Sequence, residues 1–224
     1  MQKFTIDNLH VILADSSATR ICYMLYPLDL PSTMIEGMAR EFGITIAFIT
    51  NMNWDDDLTP WPAPGEPPGC PSFKGHASSF LKLLKSKLLP EVERRINAPI
   101  TVERTLAGVS LSGLFTLWQW MIGDTFHNII SLSGSFWYDN LVEWLKSQPL
   151  PAQTGKAYFL LGNLEAKTSV KAFRPVQSDT EEIVGYLHDK GIDVFFELVQ
   201  GNHYQYGEQR LLRSLRYIYP SPSQ

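Results

Sequence analysis

Residues 106–115 read LAGVSLSGLF. Gly108-Val109-Ser110-Leu111 runs into Ser112-Gly113, one residue off the spacing G-x-S-x-G. That spacing marks a sharp strand-to-helix turn that presents a serine hydroxyl for attack on an acyl carbon. A serine hydroxyl is a poor nucleophile in water. It needs a base to take its proton, a group to orient the base, and N–H donors for the oxyanion that forms. On its own, the same stretch is also an ordinary small-residue turn that starts a helix.

In an open α/β sheet, reactive groups gather at the carboxyl ends of strands. Two further residues meet that condition. Glu165 follows the apolar run KAYFLLGN, and His203 follows IDVFFELVQ within Gly201-Asn202-His203-Tyr204. The chain order is serine, acid, histidine, as expected of an α/β-hydrolase. Ser110 is then the nucleophile, His203 the base and Glu165 the orienting acid. Asp179 is an alternative acid, and a Ser–His dyad with the imidazole held by a backbone carbonyl is another. The Leu111 N–H, at the helix start, can donate to the oxyanion. A second donor is expected from the loop after the 21–28 strand, at the backbone of Asp29 or Leu30. His10, His76, His127 and His188 read as element ends or surface. Asp55-Asp56-Asp57 lacks the spacing of a calcium loop and reads as a solvated turn. No zinc spacing, phosphate-cradling loop or dinucleotide fingerprint occurs, so neither metal nor cofactor is expected.

These residues need a frame. The 224 residues are 44% hydrophobic and 19% charged, which suits one domain over 1–224 with a sizeable core. The formal net charge of −4 carries no dominant basic patch, so nucleic acid is not an expected partner. The first residues hold no long apolar core, and no stretch reaches about 20 continuous apolar residues. A cytoplasmic protein without a membrane span is expected. Two cysteines, Cys22 and Cys70, make no disulfide framework, although a single bridge between them stays open. Apolar runs at 21–28, 43–51, 99–109, 128–135, 156–163 and 192–201 read as strands. Helix-period segments lie between them, and their alternation predicts a mostly parallel sheet with helices on both faces. Pro31-Ser32-Thr33 opens one helix, with Thr33 and Glu36 spaced for a capping box and Gly43 as its stop. Pro90 should kink or restart the helix spanning about 75–96. Residues 52–72 form a long, proline-rich irregular loop.

With those segments in place, the chain resembles the branch of the α/β-hydrolase superfamily that holds enterobactin-type siderophore esterases and esterase D-like enzymes. WDDDLTPWP (54–62) is similar to a charged loop of that family. FKGHASSFLKLLKSKLLPEVERRI (73–96) is similar to its helix with an L-x-P-x-[IV]-E core. LAGVSLSGLF is similar to its A-G-x-S-x-G-G-L-F elbow, and LGNLEAKT and QGNHYQ to its late G-x-x-E and G-x-x-H segments. Together they cover most of residues 20–217. The resemblance implies esterase chemistry on Ser110, Glu165 and His203 with a small-molecule ester as substrate and no cofactor. SGSFWYD (133–139) is similar to the family's S-x-S-x-W-W stretch, which implies Ser135 and Trp137 near the pocket. Trp54 and Trp61 are further candidates to stack on a planar acyl group. Ser112 departs from the family by replacing the first glycine of its pair, and Asp29-Leu30 replaces the usual D-G. Little chain precedes residue 21, so a sheet trimmed at its N-terminal edge and lacking a lid domain is expected. Two other readings stay open. In one, the fold serves as a binding module with weak or no turnover; in the other, the same triad runs acyl transfer or thioester hydrolysis.

Overall fold

The computed structural model describes residues 1–151 and 155–220. Residues 152–154 and 221–224, inside the span expected to form one domain, lie outside the described residues. Eight strands form one sheet: β1 Gln2–Ile6, β2 Leu9–Ala14, β3 Arg20–Leu25, β4 Thr45–Thr50, β5 Glu103–Val109, β6 Asn128–Leu132, β7 Ala157–Gly162 and β8 Val194–Val199. Their spatial order is β1-β2-β4-β3-β5-β6-β7-β8. From β4 onward every pairing is parallel, whereas β1–β2 and β2–β4 are antiparallel.

The N-terminal edge is therefore not trimmed. Residues 2–14 form a hairpin, with Phe4 opposite Val11 and Ile6 opposite Leu9. Asp7, at a φ of 51°, makes the tight turn. The short run FTI alternates between half-buried and exposed positions, and HVIL between more and less buried ones, the pattern of a half-buried hairpin.

The helices are α1 Ser32–Phe42, α2 Trp54–Asp57, α3 Ala77–Leu83, α4 Leu89–Arg95, α5 Leu111–Ile122, α6 Leu141–Ser147, α7 Val176–Asp189 and α8 Gly207–Ile218. Strand side chains alternate between two cores, as the two-residue period requires. Tyr23, Ala47 and Ile49 face α3, α4, α5 and α7. Cys22, Met24, Ile46 and Phe48 face α1 and α8. Among the described residues, no helix is long and apolar enough to cross a membrane.

Two local expectations change. The Thr33–Glu36 capping box does not form: α1 begins at Ser32, so Thr33 already lies inside the first turn. Gly43 does end that helix in the left-handed region, at a φ of 58°. The break near Pro90 falls earlier, over Leu84–Leu88, which winds as a wider π turn. The Leu89 N–H reaches back five residues to the Leu84 carbonyl. Proline offers no N–H and needs room for its ring, and the wide turn upstream accommodates both.

The segment that carries Ser110 is held by close backbone approach. A Cβ on Gly108 would lie 2.3 Å from the Ser112 carbonyl oxygen, and one on Gly113 would lie 2.7 Å from Ser131 Oγ. Position 112 tolerates a side chain and uses it. The buried Ser112 Oγ accepts from the Val109 N–H at 2.7 Å and donates its one proton to the Leu25 or the Val109 carbonyl, each at 2.8 Å. One hydroxyl thus ties the end of β3 to the end of β5. Ser112→Ala should cost about 1–3 kcal/mol in urea unfolding, because buried backbone groups lose their partner.

Candidate active site

Ser110 stands between β5 and α5 at φ 57° and ψ −121°, a backbone region that non-glycine residues rarely adopt. Its backbone is fixed from three sides. The Ser110 N–H donates to the Leu132 carbonyl at 3.1 Å, and its own carbonyl accepts from Ser135 N–H at 3.0 Å and Leu114 N–H at 3.1 Å. The side chain opens on a cavity of about 550 Å³ that Leu111, Glu165 and His203 also line. Leu111 begins α5, so its N–H belongs to the first turn, where helical N–H groups lack helical partners.

Glu165 follows β7 and His203 follows β8, so both occupy carboxyl ends of strands. His203 Nδ1 lies 2.8 Å from Glu165 Oε2. The other oxygen, Oε1, accepts from Ser133 Oγ at 2.7 Å, the Gly162 N–H at 2.7 Å and Arg210 Nη1 at 2.9 Å. Burial pulls the Glu165 carboxyl upward. The hydrogen bond and charge of His203, with the Ser133 and Gly162 bonds, outweigh that and hold it below the usual carboxylate range. The Ser110 hydroxyl pairs with Ser135 Oγ at 3.3 Å, and among the described residues no hydrogen bond joins it to His203.

Of the aromatic candidates, Trp54 and Trp137 line the cavity, as does Ser135. Trp137 lies 4.4 Å from Phe173, ring centre to ring centre, and Phe73 borders it. Trp61 does not reach the cavity. Its Nε1 donates to the Asp139 carbonyl at 3.0 Å, and its ring packs on Tyr138 and Trp144. It anchors the proline-rich loop from behind. That loop forms one wall of the cavity through Trp54, Glu66 and Cys70. Paired backbone hydrogen bonds between Ala63 and Phe73 tie its end. The acidic run within it forms the short helix α2 and is solvated only in part: Asp55 is exposed, whereas Asp56 is buried and accepts from Lys74 Nζ, Lys74 N–H and Asn53 Nδ2.

Asp29 and Leu30 do not line the Ser110 cavity either. Asp29 accepts from Thr50 Oγ1 at 3.1 Å and borders a separate cavity beyond Trp54. Leu30 packs into the core under α1. The Tyr26 N–H is spent on the Ile49 carbonyl, and Pro27 has none, so neither of these two residues offers the Ser110 cavity a backbone donor. Asp179 sits on α7, outside the cavity, beside Ser178. Cys22 and Cys70 are both free, the first buried and the second exposed. Among the described residues, no group of three or more His, Cys, Asp or Glu could hold a metal ion.

Sequence reasoning missed Ser133, Phe173 and Arg210. Ser133 ends its strand as Glu165 and His203 do, so the strand-end rule contained it. Arg210 precedes Leu211 on the apolar stripe of α8, where a charged residue should have drawn attention. Phe173 lies in the non-periodic stretch KAFRP and carried no signal.

Eight strands in this order, a helix on the serine turn, and an acid and histidine at the ends of β7 and β8 define the α/β-hydrolase fold. Solved structures share this fold. The chain is similar to an IroE-like serine hydrolase from Shewanella oneidensis, with a TM-score of 0.75 at 17% identity over 94% of this chain and 75% of that one. It is similar to the siderophore hydrolase EstB from Aspergillus nidulans, with a TM-score of 0.74 at 16% identity over 99% and 96%. For the enterobactin and salmochelin hydrolase IroE, the TM-score is 0.73 at 21% identity over 98% and 95%. A curated relative, the uncharacterised protein YbbA of Bacillus subtilis (strain 168), is 25% identical over 171 residues, 73% of this chain and 68% of its own. No protein-family profile matches the chain.

Burial raises the Asp179 carboxyl from 3.8 to about 6, against its bond to Ser178, and Glu182 and Glu143 add to the rise. An acid raised on folding costs stability once it ionises, so the cost is absent below 3.8 and complete above about 6. Asp179→Asn should therefore raise the melting temperature at about pH 8 and leave it nearly unchanged at about pH 4.

Proposed function

We propose that this chain is a serine hydrolase that cleaves carboxylic esters through an acyl-enzyme on Ser110. One observation carries the reading. The buried Glu165 carboxylate holds His203 Nδ1 at 2.8 Å on the cavity where Ser110 stands at positive φ. With Nδ1 so engaged, Nε2 is the nitrogen left to take the Ser110 proton. Ser110 Oγ attacks the acyl carbon as that proton passes to His203. The imidazolium then returns it to the leaving alkoxide. Water repeats the cycle on the acyl-enzyme, and Glu165 offsets the transient positive charge throughout. The Leu111 N–H serves as an oxyanion donor. Before attack, the Ser110 hydroxyl must exchange its bond to Ser135 for one to His203. Catalytic hydrogen bonds often tighten only when substrate is present.

The aromatic wall of Trp54, Phe73, Trp137 and Phe173 supports an aryl acyl group as the preferred part of the substrate. Siderophore-type esters are the finer reading, supported by the names of the similar hydrolases. The bond from Ser110 to Ser135, together with Asp29 and Leu30 lying off the cavity, favours a second reading: a hydrolase fold kept as a binding module.

Hydrolysis of p-nitrophenyl acetate and butyrate separates the two. Ser110→Ala should lower kcat by at least about a thousand-fold, and Glu165→Gln by roughly ten-thousand-fold or somewhat less. Asp179→Asn should leave kcat near that of the unaltered chain. Equal rates for the unaltered chain and Ser110→Ala would rule out the esterase reading. Trp137→Ala should raise KM for an aryl acyl ester more than for acetate. Hydrolysis of simple esters without cleavage of a catecholate trilactone would remove the siderophore reading alone.

A further inference from the structure

α8 carries three arginines, and only one is buried. Arg213 and Arg216 are 56% and 61% exposed and pair with surface carboxylates, whereas the Arg210 side chain is 4% exposed. Its Nη1 donates to Ser133 Oγ at 2.7 Å and to Glu165 Oε1 at 2.9 Å. Its Nη2 donates to the carbonyl of Asn202, the residue before His203, at 2.8 Å. Bare backbone makes room for the head: a Cβ on Gly162 would stand 2.5 Å from Nη2. The guanidinium is held here even though its Nε has no hydrogen-bond partner among the described residues.

We propose that Arg210 is a positioning residue that keeps the Glu165–His203 pair free of its proton at neutral pH, so that the base is ready for Ser110. The proposal rests on the esterase reading for its use of the base. Its electrostatic content stands apart from that reading.

Without Arg210, the pair carries a net negative charge when the imidazole is free and none when it is protonated. Burial disfavours the charged state, so the pair would take up a proton at higher pH. The conclusion holds whichever partner carries the proton, because the charge is counted over the pair. With Arg210 fixed beside Glu165, the cluster is neutral when the imidazole is free and positive when it is protonated. The same charge makes the imidazolium a better acid toward the leaving alkoxide. Arg210 also fixes both ends of the pair in space, since it holds the acid and the carbonyl before the histidine at once.

Other ionisable groups face the cluster. Lys167, beyond Glu165, and Tyr204, beside His203, line the cavity, as do Asp55, Glu66 and Cys70 from the opposite wall. The Tyr206 ring lies against Gly201, and Tyr26, from the end of β3, feels the Arg210 charge. Among the described residues, Arg210 is the lysine or arginine whose head lies within hydrogen-bond distance of Glu165.

The test compares Arg210→Gln and Arg210→Lys with the unaltered chain by two readouts. One is the pH profile of kcat/KM on p-nitrophenyl acetate. The other is the proton NMR titration of the His203 ring, which needs no turnover. Arg210→Gln should move the acidic limb and the ring titration upward by about one pH unit. Arg210→Lys keeps the charge and should leave both nearly in place, with kcat lowered because one ammonium cannot span Glu165 and Asn202. A folded Arg210→Gln protein with its ring titration unmoved overturns the proposal. If the Gln variant does not fold, Arg210→Lys decides: an unmoved titration with lowered kcat supports the proposal, and displacement by a full pH unit overturns it. Absence of ester turnover in the unaltered chain would sink the esterase reading, while the ring titration would still judge Arg210.

Discussion

The acid and base of the candidate site depend on one buried carboxylate. Glu165 receives donors from four parts of the chain: Ser133 after β6, Gly162 at the end of β7, His203 after β8 and Arg210 on α8. A carboxylate taken out of water is costly unless such partners satisfy it. Four satisfied bonds therefore do more than hold an acid. They fix three loop ends and a helix relative to one another at the carboxyl edge of the sheet. Removing any one partner leaves charge or polar atoms stranded, which makes this edge stiff. His203 inherits its orientation from that stiffness.

The serine turn is the second fixed point, and it is held by different means. Here the constraint is space. Gly108 and Gly113 let α5 lie almost on the backbone of its neighbours. Ser110 can then hold an unfavourable backbone conformation, because three hydrogen bonds to the Leu132, Leu114 and Ser135 backbone determine it. Ser112 completes the turn with a hydroxyl that reaches across to β3. The departure from the G-x-S-x-G spacing is thus a substitution with its own bonds. The opposite wall is built by the proline-rich loop, pinned from behind by Trp61 and the buried Asp56.

Much of this was legible in the sequence wherever one local rule decided it. Apolar runs marked the six strands from β3 onward, and the residue types at strand ends marked Ser110, Glu165 and His203, which gather on one cavity. The first hairpin escaped because each of its strands is short and only half-buried, so no apolar run stands out. Asp29 and Leu30 were expected at the cavity because the loop after β3 often supplies a donor. In the fold Asp29 instead pairs with Thr50 and borders a separate cavity, a placement that residue type and strand end do not reveal. Trp61 shows the limit of reading residue type alone, since the same indole can face a ligand or brace a loop. Arg210 was hidden for a related reason: α8 carries three arginines, and residue type alone does not say which of them the fold buries.

The most direct measurement is covalent. The protein would be treated with a fluorophosphonate, digested, and its peptides mapped by mass spectrometry. A single adduct on Ser110, formed much more slowly in His203→Ala, is the result this account predicts. Failure to react, or an adduct on Ser112 or Ser135 with Ser110 spared, would contradict it.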